Sequence, residues 1–163
     1  MLVASSQEGV VRLLLPTEPE AEFFAWLRRV FAGEGLGQDE EDGEGAGGIN
    51  ALAIAEINAY LSGRLSTFSA PVDMRGSDFR RAVWRKIAGI PYGRTATYGE
   101  IAAAIGRPGG ARAVGAASGA NPVPIIIPCH RVIGAGGSLV GYGGGLELKR
   151  HLLDLEARCM TSR

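Results

Sequence analysis

Apolar positions along this chain recur at two spacings, and polar or glycine-rich stretches punctuate them. Residues 9–15, GVVRLLL, form a near-continuous apolar run of strand length. From Thr17 the pattern changes. Phe23, Leu27 and Phe31 recur every four residues, which predicts a helix ended by Gly33, and Thr17 and Glu20 stand at capping-box spacing. Residues 34–48 are acidic and glycine-rich, cannot bury a core, and read as a surface loop. Helical spacing returns over 49–62, with Leu52, Ile57, Tyr60 and Leu61 expected inward and Gly63 as the stop. The stretch 66–74, STFSAPVDM, is extended and carries Pro71, so it reads as a link between two parts.

The second half is punctuated more sharply. Ser77 caps a helix DFRRAVWRKIAGI whose inward positions are Phe79, Val83, Trp84 and Ile87. Pro91–Gly93 is a turn. Thr97 and Glu100 make a second capping box, opening the short helix YGEIAAAIG, and Gly106 to Gly110 break it before a third helix, ARAVGAASGA. Two short helices joined by a tight turn fit a helix-turn-helix and equally an ordinary αα-hairpin. Ile125 to Ile127 suggest buried extended chain leading to Cys129. RVIGAGGSLVGY has strand–turn–strand character with Gly136–Gly137 at its tip, and GYGGG follows as a loop. Leu148, Leu152 and Leu155 mark one face of a closing helix. The expected class is α/β in the α+β sense. An N-terminal α/β domain spans 1–71, and a mostly helical C-terminal domain with a helix-turn-helix and a short hairpin spans 72–163.

Charge sharpens that division. The 163 residues have zero formal net charge, but residues 1–72 hold 4 basic against 11 acidic groups and residues 73–163 hold 13 against 6. A basic half fits a polyanionic partner or an ordinary charged surface. With 46% hydrophobic residues the chain supports a packed core. No apolar run reaches the ~18–20 residues that span a bilayer, and MLVASSQEGV lacks the layout of a signal peptide. A soluble, cytoplasmic protein is expected, with no membrane partner.

The chemistry concentrates at IIIPCHRVIG, residues 125–134. Only two cysteines and two histidines occur, Cys129, Cys159, His130 and His151, all within the last 35 residues and without paired metal-ligand spacing. No metal and no cofactor are expected. Cys129 beside His130 fits a nucleophile with its base, or a buried inert thiol with a polar neighbour. Adjacent side chains of extended chain point apart, so catalysis needs a turn at Pro128–Cys129 or a relaying water. A third group should orient the histidine, and Glu156 on the last helix is a carboxylate able to fold back to it.

PCHRVIG, preceded by NPVPIII and followed by GYGGGLELKRHLLDLE, resembles the active-site signature of the O6-alkylguanine-DNA alkyltransferases, the methylated-DNA–protein-cysteine methyltransferases of the bacterial Ogt type. The resemblance runs upstream through GSDFRRAVWRKIAGIPYGRTATYGEIAAAIGRPGGARAVGAASGANP and covers about residues 72–158. The first 70 residues match only in outline, as that family's variable N-terminal domain. The resemblance implies that Cys129 accepts the alkyl group from O6-alkylguanine, and from O4-alkylthymine, with His130 as base through a water and Glu156 holding His130. Asn121 would bridge the recognition helix to the active-site turn. Tyr98 would donate a proton towards the guanine and crowd the target phosphate, and Arg112 would fill the gap left in the base stack. Ala113, Gly115 and Thr97 would lie against DNA. Tyr142, Gly143 and the backbone of Cys129 and Val132 would line the base pocket. The implied partner is double-stranded DNA, entered through the minor groove by a protein monomer, with cooperativity along DNA left open.

The chemistry of the residues is consistent with this. A soft sulfur nucleophile suits attack on saturated carbon, the thioether product has no residue to hydrolyse it, and the protein is therefore expected to act once per molecule. The target atom lies inside a duplex, so the base must be flipped out at a cost of a few kcal/mol. The small side chains of the third helix (Ala113, Gly115, Ala116, Ala117, Ser118) fit the ~6 Å minor groove, or close helix packing. Gly143 stands where many relatives carry Ser, which predicts a roomier pocket. An N-terminal zinc site, present in some relatives, is not expected, because neither Cys nor His precedes residue 129. A non-transferring lesion-binding relative and a Cys–His hydrolase are the competing readings. The cysteine at 129 weighs against the first, and single-turnover kinetics would exclude the second.

Overall fold

The computed structural model describes residues 1–32 and 46–161. Two strands open the chain, β1 (Leu2–Ser5) and β2 (Val10–Leu14), paired antiparallel with Leu2 opposite Leu14 and Val3 opposite Leu13. Six helices follow: α1 (Glu20–Val30), α2 (Ala46–Leu61), α3 (Asp78–Ala88), α4 (Tyr98–Ala104), α5 (Ala111–Gly119) and α6 (Gly145–Thr161). A second, minimal sheet joins β3 (Ala96–Thr97) in parallel to β4 (Val132–Ile133). The fold is mixed α/β, as the pattern predicts. Most of the expected acidic loop 34–48, and the Gly33 stop, lie outside the described residues; residues 46–48 begin α2.

The main core draws on both halves of the chain. Val10, Leu13, Leu15, Ala53, Ile57 and Tyr60 pack with Val83, Trp84, Ile87, Ile101, Val114, Val132 and Leu152. Val11, Leu14, Phe23, Leu27 and Phe31 form a smaller cluster under α1. The linking stretch is held by main-chain bonds, Val10 N–H to Pro71 O (2.8 Å) and Asp73 N–H to Val10 O (3.0 Å). Backbone pairing of this kind satisfies groups that would be costly to bury alone.

Two of the three predicted caps form. Ser77 accepts from Arg80 N–H, and Thr97 with Glu100 makes both halves of a capping box. The third does not. Pro19 occupies the cap position of α1, so Glu20 begins the helix instead of sitting one turn in, and no side chain caps it. The buried stripe of α2 is Ala53, Ile57 and Tyr60, whereas Leu52 and Leu61 are 39% and 38% exposed. Only Asn50, Glu56 and Asn58 interrupt its apolar sequence, so pattern alone marks the inward face weakly. α3 packs on α5, and the Trp84 indole N–H donates to Ala117 O at 2.8 Å.

Two expectations near the cysteine are corrected. The isoleucine run is buried but not extended: Ile125 has φ of +73° and Ile127 N–H closes onto Val123 O at 2.9 Å, a tight turn. The short hairpin over 131–142 does not form either. Lys149 Nζ takes the carbonyls of Val132 (2.6 Å) and Val140 (2.9 Å), so the two would-be strands are bridged by an ammonium group. Val132–Ile133 pairs with β3 instead.

Candidate active site

Pro128 leads into a single 3-10 turn, Cys129–Arg131, in which neighbouring side chains stand about 120° apart instead of on the opposite faces a strand would give them. Cys129 is buried and its sulfur accepts from Asn121 Nδ2 at 3.1 Å. The same amide nitrogen donates to Ile127 O at 2.8 Å, while Asn121 Oδ1 accepts from Val123 N–H at 3.0 Å. That last bond fixes the amide orientation: the oxygen is engaged by a donor, so the NH2 must face the sulfur. Asn121 follows α5 directly, and it thereby ties that helix to the cysteine turn.

Burial, foremost, pushes the Cys129 thiol up to about 11, with Asn121 and the Lys149 charge offsetting only part of this. The resting group is S–H. His130 is fully buried, and desolvation, foremost, lowers its pKa, so the resting ring is neutral. Its Nε2 lies 2.8 Å from Glu156 Oε1. Glu156 is held down to about 2. Burial opposes that shift, but hydrogen bonds from His130, Arg131 and Tyr60 outweigh it. An ionised carboxylate only accepts, so Nε2 carries the proton and Nδ1 carries the lone pair. Among the described residues, Nδ1 has no hydrogen-bond partner. A neutral thiol and a neutral imidazole with its basic nitrogen free therefore lie on one turn.

Four groups that the sequence did not single out complete the arrangement. Arg131 Nε and Nη2 bond Glu156 at 2.9–3.1 Å, and its Nη1 donates to Ile90 O at 2.6 Å, so the buried carboxylate has a buried counter-charge. Gly93 N–H donates to Glu156 Oε2 at 2.8 Å. Tyr60, on α2 and fully buried, donates to Glu156 Oε1 at 2.6 Å and lies 3.1 Å from His130 Nε2. Lys149 braces the loop beside the cysteine. A sequence signal existed only for Lys149, which shares the α6 face of Leu152 and Glu156 at helical spacing. A lysine on an apolar stripe needs acceptors.

The predicted pocket residues divide. Cys129, Asn121, Tyr142 and Gly143 line one small cavity of about 30 Å3, together with Leu15 and Glu18 from the N-terminal part. That is room for a water or two. Val132 is fully buried, and its carbonyl already accepts from Lys149. Tyr98 is half-buried and its hydroxyl donates to Val140 O at 3.0 Å. Gly115 sits against it: a Cβ there would lie 3.8 Å from the Tyr98 ring. Arg112 and Ala113 are exposed on the first turn of α5. The Thr97 side chain is engaged with Glu100 in the α4 cap.

The helical half with a buried, hydrogen-bonded cysteine at its centre is a known class of domain: residues 78–158 match the family described as 6-O-methylguanine DNA methyltransferase, DNA binding domain. The chain is 46% identical over 159 residues to the inducible methylated-DNA–protein-cysteine methyltransferase of Bacillus subtilis (strain 168), covering 98% of this chain and 85% of that protein. It is 58% identical over 108 residues to the methylated-DNA–protein-cysteine methyltransferase of Mycolicibacterium paratuberculosis, covering 66% of each, just under two thirds of that relative's length. Among solved structures, Mycobacterium tuberculosis OGT in complex with DNA superposes with a TM-score of 0.77 at 41% identity, over 96% of this chain and 86% of that one. The chain belongs to the methylated-DNA–protein-cysteine methyltransferase family. In the described residues no helix is long and apolar enough to cross a membrane.

Proposed function

We propose that the protein repairs DNA by direct reversal, moving the alkyl group of O6-alkylguanine, and of O4-alkylthymine, irreversibly onto Cys129. The observation that carries this is a buried thiol, bonded by Asn121, on the same turn as a buried His130 whose Nδ1 has no partner among the described residues. Such a pair does nothing until an electrophile arrives, then yields a thiolate at the moment of attack. In the proposed step a water passes the thiol proton to Nδ1, and Glu156 stabilises the imidazolium. The sulfur attacks the saturated carbon. The S–C bond forms, the C–O6 bond breaks, and its electron pair leaves on the guanine. The leaving base takes one proton from Tyr98, which is restored from solvent as the imidazolium gives its own up. One thiol proton is lost and one guanine N–H is gained. The thioether stays, so each molecule acts once.

Duplex DNA is the proposed partner, met by a monomer through the minor groove, with α4 and α5 as the helix-turn-helix. Arg112 and Ala113, exposed at the start of α5, support that placement, and Arg112 is suited to hold the space of an extruded base. Few base-edge readers are at hand, so affinity should follow salt more than sequence. The test is mass spectrometry after incubation with a duplex bearing O6-methylguanine. The Cys129 peptide should gain one methylene mass, and Cys129→Ala should gain none. Alkylation elsewhere, or repeated turnover, would refute the proposal.

A further inference from the structure

We infer that Glu18 sets the charge preference of the alkyl pocket, so that adducts bearing a negative charge beyond the reacting carbon are transferred poorly; this rests on the alkyl-transfer reading above. Glu18 lies in the connection between β2 and α1, far in sequence from Cys129, yet both line the same cavity. One carboxylate oxygen, Oε2, accepts from Leu15 N–H at 3.2 Å, which fixes the group on the wall. The other is turned to the opposite rim. A Cβ at Gly143 would stand 3.9 Å from Oε1, and with glycine there no side chain comes between the carboxylate and the open space. Glu18 and Cys129 line the same small cavity, so a substituent extending past a carbon seated on the sulfur enters a space that this carboxylate borders.

The charge is felt across the cavity. Burial, foremost, raises the pKa of Tyr142, and the Glu18 charge raises it further. Arg12 attracts Glu18, but its guanidinium stacks over Trp26 at 5.2 Å and Phe23 at 5.8 Å, on the side of the small N-terminal cluster. A like charge brought into a half-desolvated cavity is repelled much more strongly than in water. A neutral end of the same size meets no such barrier, and a hydroxyl there finds an acceptor.

The test compares single-turnover transfer from duplexes carrying O6-carboxymethylguanine and O6-(2-hydroxyethyl)guanine, which are similar in size but differ in charge. The unaltered protein should react at least about tenfold more slowly with the anionic adduct. Glu18→Gln should narrow that ratio by at least about threefold, and Glu18→Lys should narrow it further or invert it. A merely structural role for Glu18 would slow both reactions together and leave the ratio unmoved, and that outcome overturns the inference. O6-methylguanine serves as the reference: if the unaltered protein fails to demethylate it, the alkyl-transfer reading falls, and this inference with it.

Discussion

Replacing Tyr60 by Phe removes one hydroxyl from the buried network and nothing else. The ring keeps its neighbours, Phe68 at 5.3 Å and Tyr92 at 6.0 Å between centroids, so no cavity opens. The lost bond, 2.6 Å to an ionised carboxylate, belongs to the charge-assisted class worth about 1.5–3 kcal/mol. Glu156 keeps His130, Arg131 and Gly93 N–H as donors, which places the cost near the lower end, about 1.5 kcal/mol. For a chain of this length that lowers Tm by about 3–6 °C. The catalytic consequence has a sign. With one donor fewer, Glu156 presents more negative charge to His130, which favours the imidazolium and raises the histidine pKa. The proposed reaction needs a neutral ring, so the acid limb of the rate of methyl transfer should move to higher pH, by up to about one unit. Urea unfolding and single-turnover transfer between pH 5 and 9 measure both effects. If stability and the acid limb are both unchanged, Tyr60 does not share the Glu156 carboxylate.

The remaining predictions concern acid, backbone and pocket. Glu156 falls from an ordinary 4.5 to about 2 in the fold, so it contributes on the order of 3 kcal/mol that is present above pH 4.5 and is lost as pH drops towards 2. His130, lowered by burial, adds acid lability that begins below its ordinary 6.5, since the unfolded ring binds a proton that the folded one refuses. Acid titration followed by circular dichroism should therefore show Glu156→Gln, if folded, with a flatter profile. Gly93→Ala should cost about 1–2 kcal/mol, because Gly93 has φ of +70° and a Cβ would meet Met160 Cγ at 2.6 Å; thermal melts check it. Gly143→Ser should fold normally, since a Cβ there meets nothing closer than 3.9 Å, but should slow O6-benzylguanine more than O6-methylguanine.

Local chemistry was legible where the signal and its structural effect share a few residues. Ser77 and the Thr97–Glu100 pair read correctly because a cap is complete within one turn. Thr17 and Glu20 have the same spacing, but the intervening Pro19 moved the start of α1. The turn needed at Pro128–Cys129 is present, and Glu156 does fold back on His130. Tyr60 is 70 residues from His130; helical spacing marked it as an inward position of α2, but nothing in that pattern tied it to His130 or Glu156. Gly136–Gly137 suggested a hairpin on good turn chemistry. The pairing was decided instead by the Lys149 ammonium, a partner that strand propensity does not see.

The two hydrophobic clusters divide the tryptophans between them. Trp84 is sealed in the main core, with its indole bonded to the α5 carbonyl of Ala117, while Trp26 packs against the small cluster beneath Arg12. Each half of the molecule thus carries one intrinsic fluorophore. With Trp26→Phe the emission reports only the core around α5, the helix that Asn121 tethers to the cysteine sulfur. On the proposed reaction, a carbon added to that sulfur alters the 3.1 Å contact with the Asn121 amide. If the protein is used up as proposed, that single event should be visible as a change in the colour or intensity of one buried indole, with no added label.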